Sequence, residues 1–337
     1  MIMQRRPIKL IVQIPCFNEE EALPETVRSL PQSIAGAEII EILVVNDGST
    51  DRTVEVARAL NVHHILDIPT NRGLAHTFSA GITEAARLGA DYVVNLDADN
   101  QYCADDIGKL LEPLIAGQAD MVVGERPISE MQHFSPLKQK LQQLGSWVVQ
   151  QLGGHRIKDA PSGFRALNRN AMIRLHIFNS YTYTHESLIA ARELDLKVVG
   201  VSIRVNPGKQ RPSRLVRSTF QYVRRSGAII LRTYLIYNPY QLLLWMCALF
   251  VLPAVVLLAR FFFHYISGQG AGYIQSLVIA GMLLMLGLGT FMVAVVCDIM
   301  MVNRRLTQKL LEELRRSSLA VRGDTSLSRV SAGGGSG

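Results

Sequence analysis

The sequence predicts an α/β domain with a parallel, Rossmann-like sheet, joined to two membrane-spanning helices. Three observations carry that expectation. Short apolar runs alternate with helix-patterned stretches across residues 9–205, as in parallel strands linked by right-handed crossover helices. Polar loops stand where three of those runs end, at 15–19, 46–47 and 97–101. Two uncharged apolar runs, 242–259 and 274–297, follow in succession. Each approaches or exceeds the roughly 20 residues that cross a bilayer.

Taken in order, residues 9–14 (Lys-Leu-Ile-Val-Gln-Ile) form a strand by composition, and 20–30 carries a helical pattern. A second strand spans 41–46. Ser49, Thr50 and Asp51 then supply capping groups for a helix over 52–60. Residues 62–68 make a short third strand, and Asn71-Arg-Gly73 leads into a helix over 75–88. The strand at 92–96 ends in Asp97-Ala-Asp-Asn-Gln101; a helix over 105–116 and a strand over 120–124 come next. Leu137, Leu141, Leu144, Val148 and Leu152 recur at helical spacing, a stripe suited to packing or to a membrane surface. Residues 158–166 read as a turn into a further element, 183–194 as a helix and 197–205 as the last strand. The basic, amphipathic stretch 214–235 suits a helix in the headgroup layer. Beyond Arg316 the composition turns Ser- and Gly-rich, as in a disordered end or linker.

Charge orients the spans. Arg211, Arg214, Arg217, Arg224, Arg225 and Arg232 precede the first, and Arg304, Arg305, Lys309, Arg315, Arg316 and Arg322 follow the second. The loop between them, 266–273, has no Lys or Arg. The positive-inside rule therefore puts both termini in the cytoplasm, in a multi-pass protein of the inner (plasma) membrane. The net charge of +7 over 337 residues suits anionic lipid. Basic residues cluster beside the spans rather than in a stripe with aromatics, which speaks against a nucleic-acid partner. No apolar leader precedes the first strand, so no cleavable signal peptide is expected. The four cysteines have no metal-ligand spacing and suit a reducing compartment. Pro253 is expected to kink the first span, and Asp298 to pair with an Arg near the membrane interface. The expected domains are 1–210 (catalytic), 211–238 (juxtamembrane), 239–302 (two transmembrane helices) and 303–337 (basic tail with a disordered end).

The chemistry centres on Asp97 and Asp99. Positions i and i+2 of a strand share a face, and two adjacent carboxylates repel unless a cation lies between them. Mg²⁺ or Mn²⁺, with oxygen ligands and room for phosphate oxygens, meets that need. In parallel α/β sheets ligands sit beyond the C-terminal strand ends, so the three polar loops are expected to converge on one crevice.

Several motifs carry a resemblance. They are Pro15-Cys-Phe-Asn-Glu19, Val44-Val-Asn-Asp-Gly-Ser-Thr-Asp51, Asn71-Arg-Gly73, Asp97-Ala-Asp-x-Gln101, Gly124-Glu-Arg126 and Asp159-x-x-Ser-Gly-Phe-Arg165. Together they resemble family 2 glycosyltransferases of the GT-A fold. The likeness is greatest to the polyprenyl-phosphate branch, which includes dolichyl-phosphate mannose synthase and bacterial undecaprenyl-phosphate glycosyltransferases. It covers residues 8–235, and the two spans match that branch's membrane anchor. Phe17 replaces the family's Tyr and Asn46 its first Asp; Glu125 stands in its Gly-Ser-Arg.

The resemblance implies a GT-A (nucleotide-diphospho-sugar transferase) catalytic domain that moves a sugar, with inversion. The donor is a UDP- or GDP-sugar and the acceptor a polyprenyl phosphate such as undecaprenyl phosphate. It assigns Pro15, Phe17, Glu19, Asp47, Asp97, Gln101, Lys209 and Arg211 to the nucleotide, and Asp97, Asp99 and Gln101 to Mg²⁺ or Mn²⁺. Arg126, Lys138 and Gln142 fall to the acceptor phosphate. Asp97, Asp99, Arg126 and Asp159 are its catalytic set, with Asp159 either a base or a turn residue and Arg partner. His76 and His185 are expected to be packed or surface residues. The resemblance also implies a homo-oligomer such as a tetramer. A processive polysaccharide synthase is the enzymatic rival, and its usual Gln-x-x-Arg-Trp is absent from the sequence. A non-catalytic nucleotide-sugar-binding subunit of a lipid-sugar exporter is the rival of another class.

Overall fold

A computed structural model describes residues 6–127, 157–177, 183–206, 239–268 and 270–332. Lys138, Gln142, Lys209 and Arg211, and the amphipathic stretches at 136–152 and 214–235, lie outside the described residues. The chain divides into two units, a sheet-bearing one (1–227 and 312–337) and a helical one (228–311).

The sheet has seven strands: β1 (Lys9–Cys16), β2 (Ile39–Asp47), β3 (His64–Ile68), β4 (Tyr92–Asn95), β5 (Met121–Glu125), β6 (Arg165–Asn168) and β7 (Val198–Ser202). Its spatial order is β3-β2-β1-β4-β6-β5-β7. Strands β1 to β4 pair in parallel, and so do β5 and β7. The fully parallel expectation fails at β6, which runs antiparallel between β4 and β5. The reason is where the chain re-enters. Asp159 contacts Arg126 just beyond the end of β5, and Gly163 lies against Asp97 just beyond the end of β4. A strand starting from that edge can only run back down the sheet.

Both faces of the sheet are covered, which is why the central strands read as near-continuous apolar runs. Ile11, Leu43, Val45, Val93, Val123 and Leu167 pack on one face with α3 (Leu74–Arg87), α5 (Arg169–Arg174) and α6 (Thr184–Glu193). Leu10, Val12, Ile14, Val44, Val94 and Val122 pack on the other. There they meet α1 (Leu23–Arg28), α2 (Thr53–Ala59) and α4 (Ile107–Ile115). Helix α3 approaches closely because residue 81 is glycine; a Cβ there would lie 2.4 Å from Gln13 Oε1. Helix α1 is shorter than its pattern because the residues before it are drawn into loop contacts described below.

The hairpin comprises α7 (Pro239–Ile266) and α8 (Ile274–Ala332). Ala280, Gly287 and Ala294 recur every seventh residue along α8. Ala254, Ala280 and Ala294 are buried, a Cβ at Gly287 would meet Val251 at 2.7 Å, and Cys247 Sγ lies 3.4 Å from the Gly287 carbonyl. Small residues thus let the two helices touch, as in membrane bundles. The outward surfaces remain apolar and exposed, with Trp245, Leu249, Leu252, Val256, Met285 and Met292 among them. At the turn, the Tyr273 ring stacks on His264 at 3.8 Å and receives the Arg260 guanidinium at 5.2 Å. Pro253 sits inside α7, which is helical on both sides of it. Helix α8 continues to Ala332, so the Ser-rich stretch after Arg316, expected to be disordered, is helical.

Candidate active site

Strands β1, β2, β4 and β5 point the same way, so their C-terminal ends share one edge of the sheet. There the loops after β1 and β2 are zipped together. Asn18, at φ 55°, accepts from the Thr50 amide at 2.8 Å, and its own amide donates to Ser49 Oγ at 2.9 Å. The Glu19 amide donates to Thr53 Oγ1 at 2.9 Å and the Glu20 amide to Asp51 Oδ2 at 3.2 Å. Asp51 Oδ1 also accepts from the Thr53 amide at 3.0 Å, the first amide of α2, from one position before the cap residue Arg52. Pro15 is buried at the end of β1, whereas Phe17 stands on the rim, 40% exposed.

Asp47 is buried, and its two oxygens accept from the Arg72 and Gly73 amides, each at 2.9 Å. It fastens the Asn71-Arg-Gly73 turn, where Gly73 takes φ 90°. Asn46 Nδ2 donates to Asp67 Oδ1 at 2.7 Å, and Asn46 Oδ1 accepts from the Ser49 amide at 3.2 Å. An acid at 46, the residue type usual in the resembled family, would face the Asp67 carboxylate here.

The acidic loop differs in detail from the expected pleat. Strand β4 ends at Asn95, so Asp97 and Asp99 lie on the loop beyond it rather than on successive strand positions. Asp97 is half-buried and Asp99 exposed. The turn brings them close enough to interact, with Asn100 at φ 54° and the Gln101 amide donating to Asp99 Oδ1 at 3.1 Å. Burial, then the Asp99 charge, pushes Asp97 up to about 7, against the pull of Arg126, Arg165 and the Tyr102 hydroxyl. Gly163 closes over Asp97; a Cβ there would lie 2.6 Å from Oδ2.

A buried polar chain supports this arrangement from behind. Gln13 Nε2 donates to Asn95 Oδ1 at 2.8 Å, and Asn95 Nδ2 donates to the Gly163 carbonyl at 2.8 Å. The Gly163 amide in turn donates to the Tyr102 hydroxyl oxygen at 3.0 Å.

Positive charge faces the acids. Arg126 grips the fully buried Asp159 through Nε at 2.6 Å and Nη2 at 3.0 Å, and its amide reaches the same carboxylate at 3.2 Å. Burial opposes the charge on Arg126, yet Tyr102, Asp159 and Asp97 outweigh it and raise its pKa. Arg165 is fully buried and donates to the Ala160 and Ser162 carbonyls and to Ser187 Oγ. Burial lowers it to about 10, with Tyr183, Tyr102, Asp159 and Asp97 opposing. It therefore stays cationic near neutrality. His185, half-buried, is pushed down to about 4 by burial and then by Arg165, so its imidazole is neutral.

Asp47, Asp97, Asp99, Gln101, Arg126 and Asp159, with Pro15, Phe17 and Glu19, thus all stand on the one sheet edge. Gly163 and Arg165 lie in the 159–165 motif without a role assigned to them, and Tyr102 and Asn95 stand outside the candidate residues that the sequence singles out. Asn95 offered a signal, a lone amide in an otherwise apolar strand; Tyr102 offered none. Among the described residues no cluster of three or more His, Cys, Asp or Glu forms a ready-made cage for a metal. Two neighbouring carboxylates, one half-buried and one exposed, do fit a hard divalent ion that keeps waters and shares phosphate oxygens with a substrate. Burial and the neighbouring Asp99 charge both disfavour ionised Asp97, a cost that a cation beside the two carboxylates would offset.

Comparison with known proteins bears on the whole arrangement. The family described as "Glycosyl transferase family 2" matches residues 11–175. The UDP-N-acetylglucosamine–dolichyl-phosphate N-acetylglucosaminyltransferase of Methanococcus voltae is 31% identical over 213 residues, covering 57% of this chain and 83% of the relative. The undecaprenyl-phosphate mannosyltransferase of Micrococcus luteus is 28% identical over 171 residues, covering 49% and 68%. Among solved structures, glucosyl-3-phosphoglycerate synthase of Mycobacterium tuberculosis, crystallised with Mn²⁺, UDP and glucosyl-3-phosphoglycerate, superposes with a TM-score of 0.52. That match has 18% identity and covers 68% of this chain and 79% of the neighbour, a likeness of fold.

Proposed function

The chain belongs to glycosyltransferase family 2, and on that premise we propose that it transfers a sugar from a nucleoside diphosphate to a polyprenyl phosphate at a membrane surface. One observation carries the reading: at the C-terminal sheet edge Asp97 stands close enough to both Asp99 and Arg126 for their charges to act on it, and Arg126 is itself paired with Asp159. The acceptors for which two relatives are named, dolichyl phosphate and undecaprenyl phosphate, support the lipid acceptor. The exposed apolar surface of α7 and α8 suits a hairpin in lipid, with the catalytic unit and both termini on the cytoplasmic side.

Phe17 offers an aromatic face for the base, and Asp47 holds the 71–73 turn that borders it. Asp97, Asp99 and Gln101 would hold Mg²⁺ or Mn²⁺. When bound, the ion supplies charge neutralisation for the departing nucleoside diphosphate. Arg126, kept cationic and oriented by Asp159, adds a fixed positive charge where negative charge develops. Asp159 is fully buried against Arg126, which suits a partner rather than a proton acceptor. A base is also unnecessary, because a phosphate monoester with a second pKa of about 6 is already mostly dianionic near neutrality. The chain's task is then to position two phosphates beside each other.

The test uses the purified full-length chain in detergent with undecaprenyl phosphate, Mn²⁺ or Mg²⁺ and a panel of UDP- and GDP-sugars, the product being weighed by mass spectrometry. A polyprenyl-phosphate-sugar is expected from one donor class, and Asp99→Asn should lower its rate by about 10²-fold or more. Product formed by Asp99→Asn at the parent rate would remove the metal assignment. Donor hydrolysis without lipid product would remove the acceptor.

A further inference from the structure

The loop that bears Asp97 and Asp99 is held from two sides. On one, Thr26 Oγ1 donates to the Ala98 carbonyl at 2.8 Å. On the other, residues 203–206 leave β7 and run antiparallel beside 100–103. The Cys103 amide donates to the Arg204 carbonyl at 3.3 Å, Tyr102 and Val205 form an isolated bridge, and the Asn206 amide donates to the Gln101 carbonyl at 2.9 Å. Arg204 anchors this segment, its amide, Nε and Nη2 reaching Asp106 at 2.7, 3.1 and 2.8 Å.

Within the 203–206 segment, Asn206 makes the contacts nearest the acids. Its Nδ2 lies 3.0 Å from the Asn100 carbonyl, 3.1 Å from Asn100 Oδ1 and 3.1 Å from the Tyr102 carbonyl. Two amide hydrogens therefore serve three acceptors drawn from two residues. Asn100 sits in the left-handed region, which asparagine tolerates better than other non-glycine residues, and the Asn206 side chain ties down both its carbonyl and its Oδ1 there. Exposed Asp99 is oriented through the Gln101 amide, and the Gln101 carbonyl is bound by Asn206. Tyr102, whose carbonyl Asn206 also holds, presents its hydroxyl to Gly163 and Asp97.

We infer that Asn206 is a positioning residue for the acidic loop, holding 100–102 in the one backbone conformation that aims Asp99 at the crevice beside Asp97. This rests on the divalent-cation reading above. Without that hold the loop samples other conformations, and apparent cation affinity drops by the fraction no longer competent.

The test compares parent, Asn206→Ala and Arg204→Ala full-length proteins, without nucleotide. Mn²⁺ binding is read by electron paramagnetic resonance, and amide hydrogen exchange over 99–103 is read in metal-free protein. Asn206→Ala is expected to raise half-saturating Mn²⁺ about tenfold and to speed exchange at 99–103, with both effects smaller in Arg204→Ala. Unchanged exchange and Mn²⁺ affinity in Asn206→Ala would overturn the inference, as would equal effects in Arg204→Ala. If the parent binds no Mn²⁺ while Asn206→Ala still speeds exchange, the cation reading fails and the hold on the loop stands. Should Asn206→Ala not fold, Asn206→Ser, which keeps one donor, is judged by the same two readouts.

Discussion

Asp97→Asn separates stability from function, and its sign follows from the structure. The Asp97 carboxyl is raised from an ordinary 3.8 to about 7, by burial first and by Asp99 second. The folded chain therefore binds that proton more tightly than the unfolded one. The favourable contribution is complete below pH 3.8, declines as pH rises toward 7 and is gone above it. Roughly three units correspond to about 4 kcal/mol at 1.36 per unit. Water in the crevice reduces this, so about 2 kcal/mol is the expected penalty for the ionised form in metal-free protein. Asparagine keeps the shape and removes the charge. At pH 8 without metal, Asp97→Asn should melt about 4–8 °C above the parent, taking 2–4 °C per kcal/mol for a domain of this size. The gap should narrow to about a third by pH 5 and close only toward pH 3.8, where the unfolded chain is protonated as well. Added Mn²⁺ should raise the melting temperature of the parent and not of the variant, while transfer activity in the variant falls by about 10²-fold or more. Scanning calorimetry in detergent from pH 3.8 to 8, with and without Mn²⁺, reads all of this. A variant that melts at or below the parent at pH 8 without metal would refute the reasoning.

Two further substitutions probe the supports. Gly163→Ala would put a Cβ 2.6 Å from Asp97 Oδ2 and 2.9 Å from Oδ1; displacing that carboxylate should lower the rate about 10²-fold, read by steady-state kinetics beside a thermal melt. Asn46→Asp would replace the 2.7 Å donor to Asp67 with a second acid and should destabilise by about 1–3 kcal/mol. Asp67→Asn in the same chain should restore most of that loss, a coupling measured by a double-mutant cycle of melting or denaturant curves.

The sequence by itself determined the alternation of strands and helices, the apolar hairpin and the set of loops that carry the chemistry. Those features depend on neighbours close along the chain. Period-2 and period-3.6 patterning, the capping group at Asp51, and the motif around Asp97 are all local. The direction of β6 was decided only in three dimensions, because it depends on which edge of the sheet the chain returns to after residue 126. The pairing of Asp159 with Arg126 was also tertiary. Arg126 meets it across 33 positions, and no spacing rule reaches that far. Glycine at 163 has its reason in a carboxylate from another strand end, and Asn206 reaches Asn100 across 106 positions. Pairing of buried polar groups is set by strand order and direction, so the residues that aim the acids became legible only once the sheet had been assembled.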